Sequence, residues 1–168
     1  QGDVYVQGAF NGGKSRDFLQ LINELDKNIN IDLMYNLPHQ TFEDWKETLH
    51  KIVSLNPEHI SAYSLILEEG TKLYDMYMKK EFDLSDEDED IKMYEYAINY
   101  LKENGYNQYE ISNYAKVGYE CKHNILYWKC KNYIGLGPGA SGYINNVRYN
   151  NVQSLDDYHE KLLQNQKP

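Results

Sequence analysis

Ile29-Asn30-Ile31-Asp32-Leu33-Met34-Tyr35-Asn36-Leu37-Pro38 reads as a buried strand, Ile29 to Leu37, closed by its proline. Asp32 stands in the middle of this otherwise apolar run, where an ionised carboxylate is costly unless it is hydrogen-bonded or lies at the strand's open end. Two roles fit it. Parallel α/β sheets and barrels bind ligands beyond the carboxyl ends of their strands, where a carboxylate can accept from both hydroxyls of a ribose. Alternatively, the carboxylate ties down its own following loop. Asn36-Leu37-Pro38-His39-Gln40-Thr41 would line the same mouth, and His39 there reads better as a solvated, loop-bracing group than as a general base.

Working outward, Thr41-Phe42-Glu43-Asp44 resembles a capping box with Asp in the Glu/Gln position. Phe42, Trp45, Leu49, Ile52 and Val53 then form one helical stripe, and the helix ends before Pro57. His59 to Ile66 is the next strand expected. Upstream, Val4 to Phe10 reads as a short strand, Asn11-Gly12-Gly13 as a turn, and Phe18, Leu21, Ile22 and Leu25 as a helix capped by Ser15. Residues 1–70 are thus expected to be a βαβαβ run, the alternation of a parallel α/β fold.

After Gly70 the texture changes. A short helix is expected around Leu73 to Met78, then the acidic stretch Asp83 to Asp90, which reads as a solvated lead into a longer helix. That helix takes Ser85 as its cap, Ile91, Tyr94, Ile98 and Leu101 as its apolar face, and Gly105 as its stop. Tyr106 to Asn151, rich in Tyr, Asn and Gly, is expected to form short strands and loops. Ser154 caps a last helix with Leu155, Tyr158 and Leu162 on one face.

Length and composition narrow the function. A chain of 168 residues suits one ordinary domain. No stretch approaches the ~20 apolar residues of a membrane helix. A formal charge of −9, with Arg16 and Arg148 the only arginines, opposes a nucleic-acid partner. The amino terminus has no initiator Met and no signal-peptide order, and both ends are expected to be cuts in a longer protein. Two cysteines cannot build a disulfide scaffold and fit a reducing cytoplasm.

Cys121, His123 and Cys130 are soft ligand types without the number or spacing of a structural zinc site, so each cysteine is expected to be a buried free thiol. Gly135-Leu136-Gly137-Pro138-Gly139-Ala140-Ser141-Gly142 permits close backbone approach but is not a dinucleotide fingerprint, because Pro138 interrupts the spacing. The 17 tyrosines suit stacking on a flat cofactor, although ordinary core and rim packing accounts for them more simply.

Ile31 to Thr41 resembles the D-L-x-Y-G-L-P-x-Q-T stretch of the radical S-adenosylmethionine (SAM), oxygen-independent coproporphyrinogen III oxidase-like family. Pro57 to Leu65 with Glu68-Glu69-Gly70-Thr71, then Tyr109 to Ala115, then Cys121-Lys122-His123-Asn124 with Tyr127-Trp128 and Gly135 to Ala140, match in the expected order. Glu-Glu-Gly-Thr and Cys-x-His-Asn-x-x-Tyr-Trp are most similar to the heme-chaperone branch.

The resemblance implies an α/β fold: the C-terminal part of an incomplete parallel (β/α) barrel over 1–70, then a smaller mixed α+β region over 71–168. It implies a [4Fe-4S] cluster and SAM in the full-length protein, with Asp32 on the cofactor's ribose, Ile66 and Ser141 beside the cofactor, and Gln7 a further contact. Heme is implied as a ligand, with His123 the candidate for its iron. The family's Cys-x-x-x-Cys-x-x-Cys motif is absent, so this chain alone is expected not to cleave SAM. Asn36 stands where the family usually has Gly, and Ser141 where the heme-chaperone branch commonly has His. Heme delivery is the function implied. Decarboxylation of coproporphyrinogen III to protoporphyrinogen IX and a cluster-free module binding a tetrapyrrole or a partner are the alternatives.

Overall fold

The computed structural model describes residues 29–167. The expected first strand and helix, and Gln7 with them, lie outside the described residues. The chain divides into two compact units, Gln1–Glu120 and Cys121–Pro168.

In the first unit, β1 (Asn30–Tyr35) leads through α1 (Phe42–Ser54) to β2 (His59–Ser64). β1 and β2 are parallel, with Asn30 opposite His59, Asp32 opposite Ser61 and Tyr35 opposite Ser64. There follow α2 (Lys72–Met78), α3 (Glu87–Glu103), β3 (Asn107–Gln108) and β4 (Asn113–Ala115). β4 runs antiparallel to β2, and β3 antiparallel to β4, so the sheet order is β1-β2-β4-β3 and the sheet is mixed. Among the described residues, only the β1–β2 step has the parallel crossover expected from the alternation of elements.

The capping box forms as read from sequence. The Thr41 hydroxyl accepts from the Asp44 amide at 3.2 Å, and Asp44 Oδ2 accepts from the Thr41 amide at 2.9 Å. This satisfies donors at a helix start that have no intrahelical partner. The Thr41 hydroxyl, which donates to Asp44 Oδ2 at 2.6 Å, and then the Thr41 amide hold the Asp44 carboxyl below the usual carboxylate range. Trp45, Leu49 and Ile52 then point into the core, with Phe42 and Val53 packed against it. The Trp45 indole N–H donates to the Met93 carbonyl at 3.0 Å, so burying the ring leaves no orphaned donor.

α3 departs from expectation at its start. Asp86, not Ser85, is the N-cap, accepting from the Glu89 amide at 2.8 Å. Its buried residues are Met93, Ala97 and Leu101, while Ile91 is exposed. The buried stripe runs at i, i+4, i+8, and the small Ala97 lets the helix approach the core closely. Gly105 follows the helix at φ 88°, and the Tyr106 amide returns to the Leu101 carbonyl at 2.9 Å, a glycine-dependent stop. Because α3 shares its core with α1, β1 and β2, the change of texture near Gly70 falls inside the first unit.

In the second unit, α4 (Lys122–Trp128) is followed by the antiparallel hairpin β5 (Ser141–Ile144) and β6 (Val147–Asn150), then α5 (Leu155–Leu163). α4 lies where only strands and loops were expected. Asn145 and Asn146 turn the hairpin with φ of 52° and 64°, the positive pair that a two-residue turn of this hand requires. Ser154 caps α5 as expected. Asn151 is buried and donates to the Gly135 and Gly137 carbonyls at 3.2 and 2.8 Å, which holds the glycine-rich loop.

Candidate functional site

Alternation along β1 and β2 sorts the first unit's sheet into two faces. Ile31, Leu33, Tyr35, Ile60 and Ala62 belong to the buried core with the helices. Asn30, Asp32, His59 and Ser61 occupy the alternate positions in matching register, so the other face is polar. Further toward the strand ends, Met34 and Tyr63 pair on that face and are exposed.

The polar face is one connected network. Asn30 Nδ2 donates to Asp32 Oδ1 at 2.7 Å. A carboxylate can only accept, so the Asn30 amide nitrogen must face Asp32 and its oxygen must face His59. His59 Nδ1 lies 2.5 Å from Asn30 Oδ1, which makes Nδ1 the protonated nitrogen, and His59 Nε2 accepts from the Tyr109 hydroxyl at 2.7 Å. The Ser61 hydroxyl donates to Asn113 Oδ1 at 2.7 Å, and Asn113 Nδ2 in turn donates to Glu110 Oε1. Burial pushes the His59 imidazole below its ordinary value, and the charges of Asp32 and Glu110 offset only part of that. Among the described residues, Asp32 hydrogen-bonds through Oδ1 alone. Its partner here is Asn30, two residues back in its own strand, and not the loop that follows.

That loop turns at Asn36, buried with φ 58°, a conformation open to Gly and tolerated by Asn. A positive φ is also what the Gly of the motif this stretch resembles would supply here. His39 also has positive φ, at 63°, and is exposed. Ile66 lies two residues past β2 and is 78% exposed.

In the second unit, His123 is exposed on α4, and its Nε2 lies 2.8 Å from the Tyr127 hydroxyl. The two rings meet edge to face at 4.7 Å, and Tyr127 meets Tyr133 likewise at 4.5 Å. Trp128, at the end of the same helix, is 56% exposed. Ser141 opens β5, with its hydroxyl donating to Asn150 Oδ1 at 2.7 Å. Cys130 is exposed and Cys121 half-buried, so neither is the buried thiol expected. Each lies at an end of the short helix α4, where no core covers it.

No protein-family model matches the chain. It is 44% identical over 132 residues to the heme chaperone HemW of Lactococcus lactis subsp. lactis, covering 79% of this chain and 35% of that protein. The heme chaperone HemW of Bacillus subtilis is 41% identical over 132 residues with the same coverage. The chain belongs to the radical SAM, coproporphyrinogen III oxidase-like family. Its heme-chaperone branch supplies those two relatives. Mouse radical S-adenosyl methionine domain-containing protein 1, mitochondrial, is 39% identical over 114 residues, covering 68% of this chain and 26% of that protein. Coproporphyrinogen III oxidase (HemN) from Escherichia coli, a radical SAM enzyme, shares the α/β fold with a TM-score of 0.66 at 18% identity, over 92% of this chain and 39% of that one. The chain spans about a third of the length of these bacterial relatives.

Asn30, His59, Tyr109 and Asn113 drew no notice in the sequence as site residues. The signal was present in the pattern Asn-x-Asp in β1 and His-x-Ser in β2, polar residues at every second position of two strands. What the pattern lacked was the register that sets one pair against the other.

Proposed function

We propose that this chain is part of a heme-chaperone-type protein that binds heme and delivers it in the cytoplasm. Residues 1–70 contribute to an incomplete parallel (β/α) barrel, and residues 71–168 form its C-terminal region. The observation that carries this reading is the 44% and 41% identity to two heme chaperones over 79% of the chain. No helix among the described residues is long and apolar enough to cross a membrane.

The family name implies SAM and an iron–sulfur cluster in full-length members. The residues here suit the first and not the second. Asp32 has one carboxylate oxygen fixed by Asn30 and the other unbonded among the described residues, which suits a ribose hydroxyl. Two cysteines fall short of the three thiolates of the family's cluster motif, so no step through a cluster is derived from this chain. The assignments of Ile66, Ser141 and Gln7 to the cofactor rest on the resemblance.

For heme, His123 offers a ring nitrogen on an exposed aromatic helix. In the tautomer whose Nε2–H donates to the Tyr127 hydroxyl, Nδ1 keeps the lone pair an iron requires, and the hydrogen bond fixes the ring as partners of metal-binding histidines do. Trp128 and Tyr127 supply apolar surface for a tetrapyrrole face. Heme titrated into the full-length protein should shift the Soret band, and His123→Ala should lose that shift. Equal shifts in both proteins would remove His123 from the site.

A further inference from the structure

We propose that Asn30, braced by His59, is the positioning residue that aims the Asp32 carboxylate at its ligand; this rests on the reading of Asp32 as the ribose contact. Asp32 sits mid-strand, and its rotamer decides whether its free oxygen points to a ligand or turns back to the sheet. Asn30 Nδ2 pins Oδ1 at 2.7 Å. Asn30 itself cannot flip, because its oxygen is engaged by His59 Nδ1–H at 2.5 Å and lies 3.4 Å from the Ser61 hydroxyl. His59, whose tautomer Asn30 Oδ1 fixes, is held in turn on its far side by the Tyr109 hydroxyl, which donates to Nε2 at 2.7 Å. The chain Tyr109, His59, Asn30, Asp32 therefore runs from the loop before β4, through β2, to the carboxylate in β1, with each polar group's direction dictated by the next. Such preorganisation spares the ligand the cost of ordering the carboxylate when it binds. Oδ2 then makes the ligand contact, and the supporting residues touch no ligand themselves.

The test compares equilibrium binding of SAM with that of an analogue lacking both ribose hydroxyls, in the anaerobically reconstituted full-length protein. A charge-assisted bond to the hydroxyls corresponds to roughly tenfold or greater preference for SAM. Asp32→Asn should reduce that preference severalfold. Asn30→Ala should reduce it to a similar extent, and His59→Phe, which keeps a ring but removes the bond to Asn30, should reduce it partially. A structural role alone would weaken both ligands equally and leave their ratio unchanged. If Asp32→Asn narrows the ratio but Asn30→Ala and His59→Phe do not, positioning is overturned and the ribose contact stands. If Asp32→Asn keeps the wild-type ratio, the ribose contact fails and the positioning proposal falls with it. Should Asn30→Ala fail to fold, His59→Phe decides by the same ratio.

Discussion

Asn36 holds a positive φ of 58° at the turn out of β1, and its Oδ1 is buried without a hydrogen-bond partner among the described residues. Replacing it by Gly or by Ala removes the same amide, so the difference between the two variants isolates the backbone cost. Asn36→Gly should be more stable than Asn36→Ala by about 1 kcal/mol in urea unfolding, since Ala pays the left-handed penalty and Gly does not. Equal stabilities would mean that the turn relaxes to a negative φ. His59 makes the second residue-level prediction. Burial holds its folded-state pKa below the ordinary 6.5. As pH falls below that value, the unfolded chain takes up a proton that the folded chain refuses, so stability declines until the folded pKa is passed, then levels. His59→Gln should flatten the stability curve as pH falls below about 6.5. An equally steep curve in the variant would assign that slope to other groups.

At the scale of elements, the parallel β1–α1–β2 unit depends on where α1 starts. Thr41 supplies both halves of the capping box with Asp44, and the first buried residue, Trp45, follows directly. Thr41→Ala should cost about 1 kcal/mol, and Thr41→Ser should recover most of it, as measured by thermal unfolding followed through helical circular dichroism. An unchanged midpoint in Thr41→Ala would show that packing of Trp45, Leu49 and Ile52 alone sets the start. In the hairpin, Gly142 lies under the Tyr149 ring, where an added Cβ would come within 2.1 Å of it, and the Gly135 amide donates to the Tyr149 hydroxyl at 3.3 Å. The glycine-rich stretch is therefore used for close packing of its own hairpin.

For the whole molecule, chemistry is limited by the donors the chain carries. Anaerobic reconstitution of this chain with iron and sulfide should give no stoichiometric, EPR-active [4Fe-4S] centre, because Cys121 and Cys130 leave the cluster short of thiolates. A stable centre at one cluster per chain would show that other ligands or chain association complete the site. The first unit keeps most of its buried hydrophobic residues in one core spanning Ile29 to Tyr114, whereas none of the helical residues of α4 or α5 is buried.

Family membership, the α1 stripe, its capping box and the glycine stop after α3 were all legible in the sequence, because each depends on residues only a few positions apart or on an ordered set of motifs. Asp32 was legible too, as a charge out of place in an apolar strand. Tertiary structure decided the rest. That β4 and β3 add antiparallel strands to a parallel pair depends on contacts such as Ser61 with Asn113, 52 residues apart, which no local pattern encodes. α4 has seven residues and a Cys121 cap that makes no side-chain bond, so it carried neither periodicity nor a start signal. α3 turned Met93 and Ala97 inward and left Ile91 exposed, because the helix's phase is set by the core it shares with α1, β1 and β2. The polar network around Asp32 needed register most of all: a one-residue slip of β2 would have sent His59 and Ser61 to the opposite face.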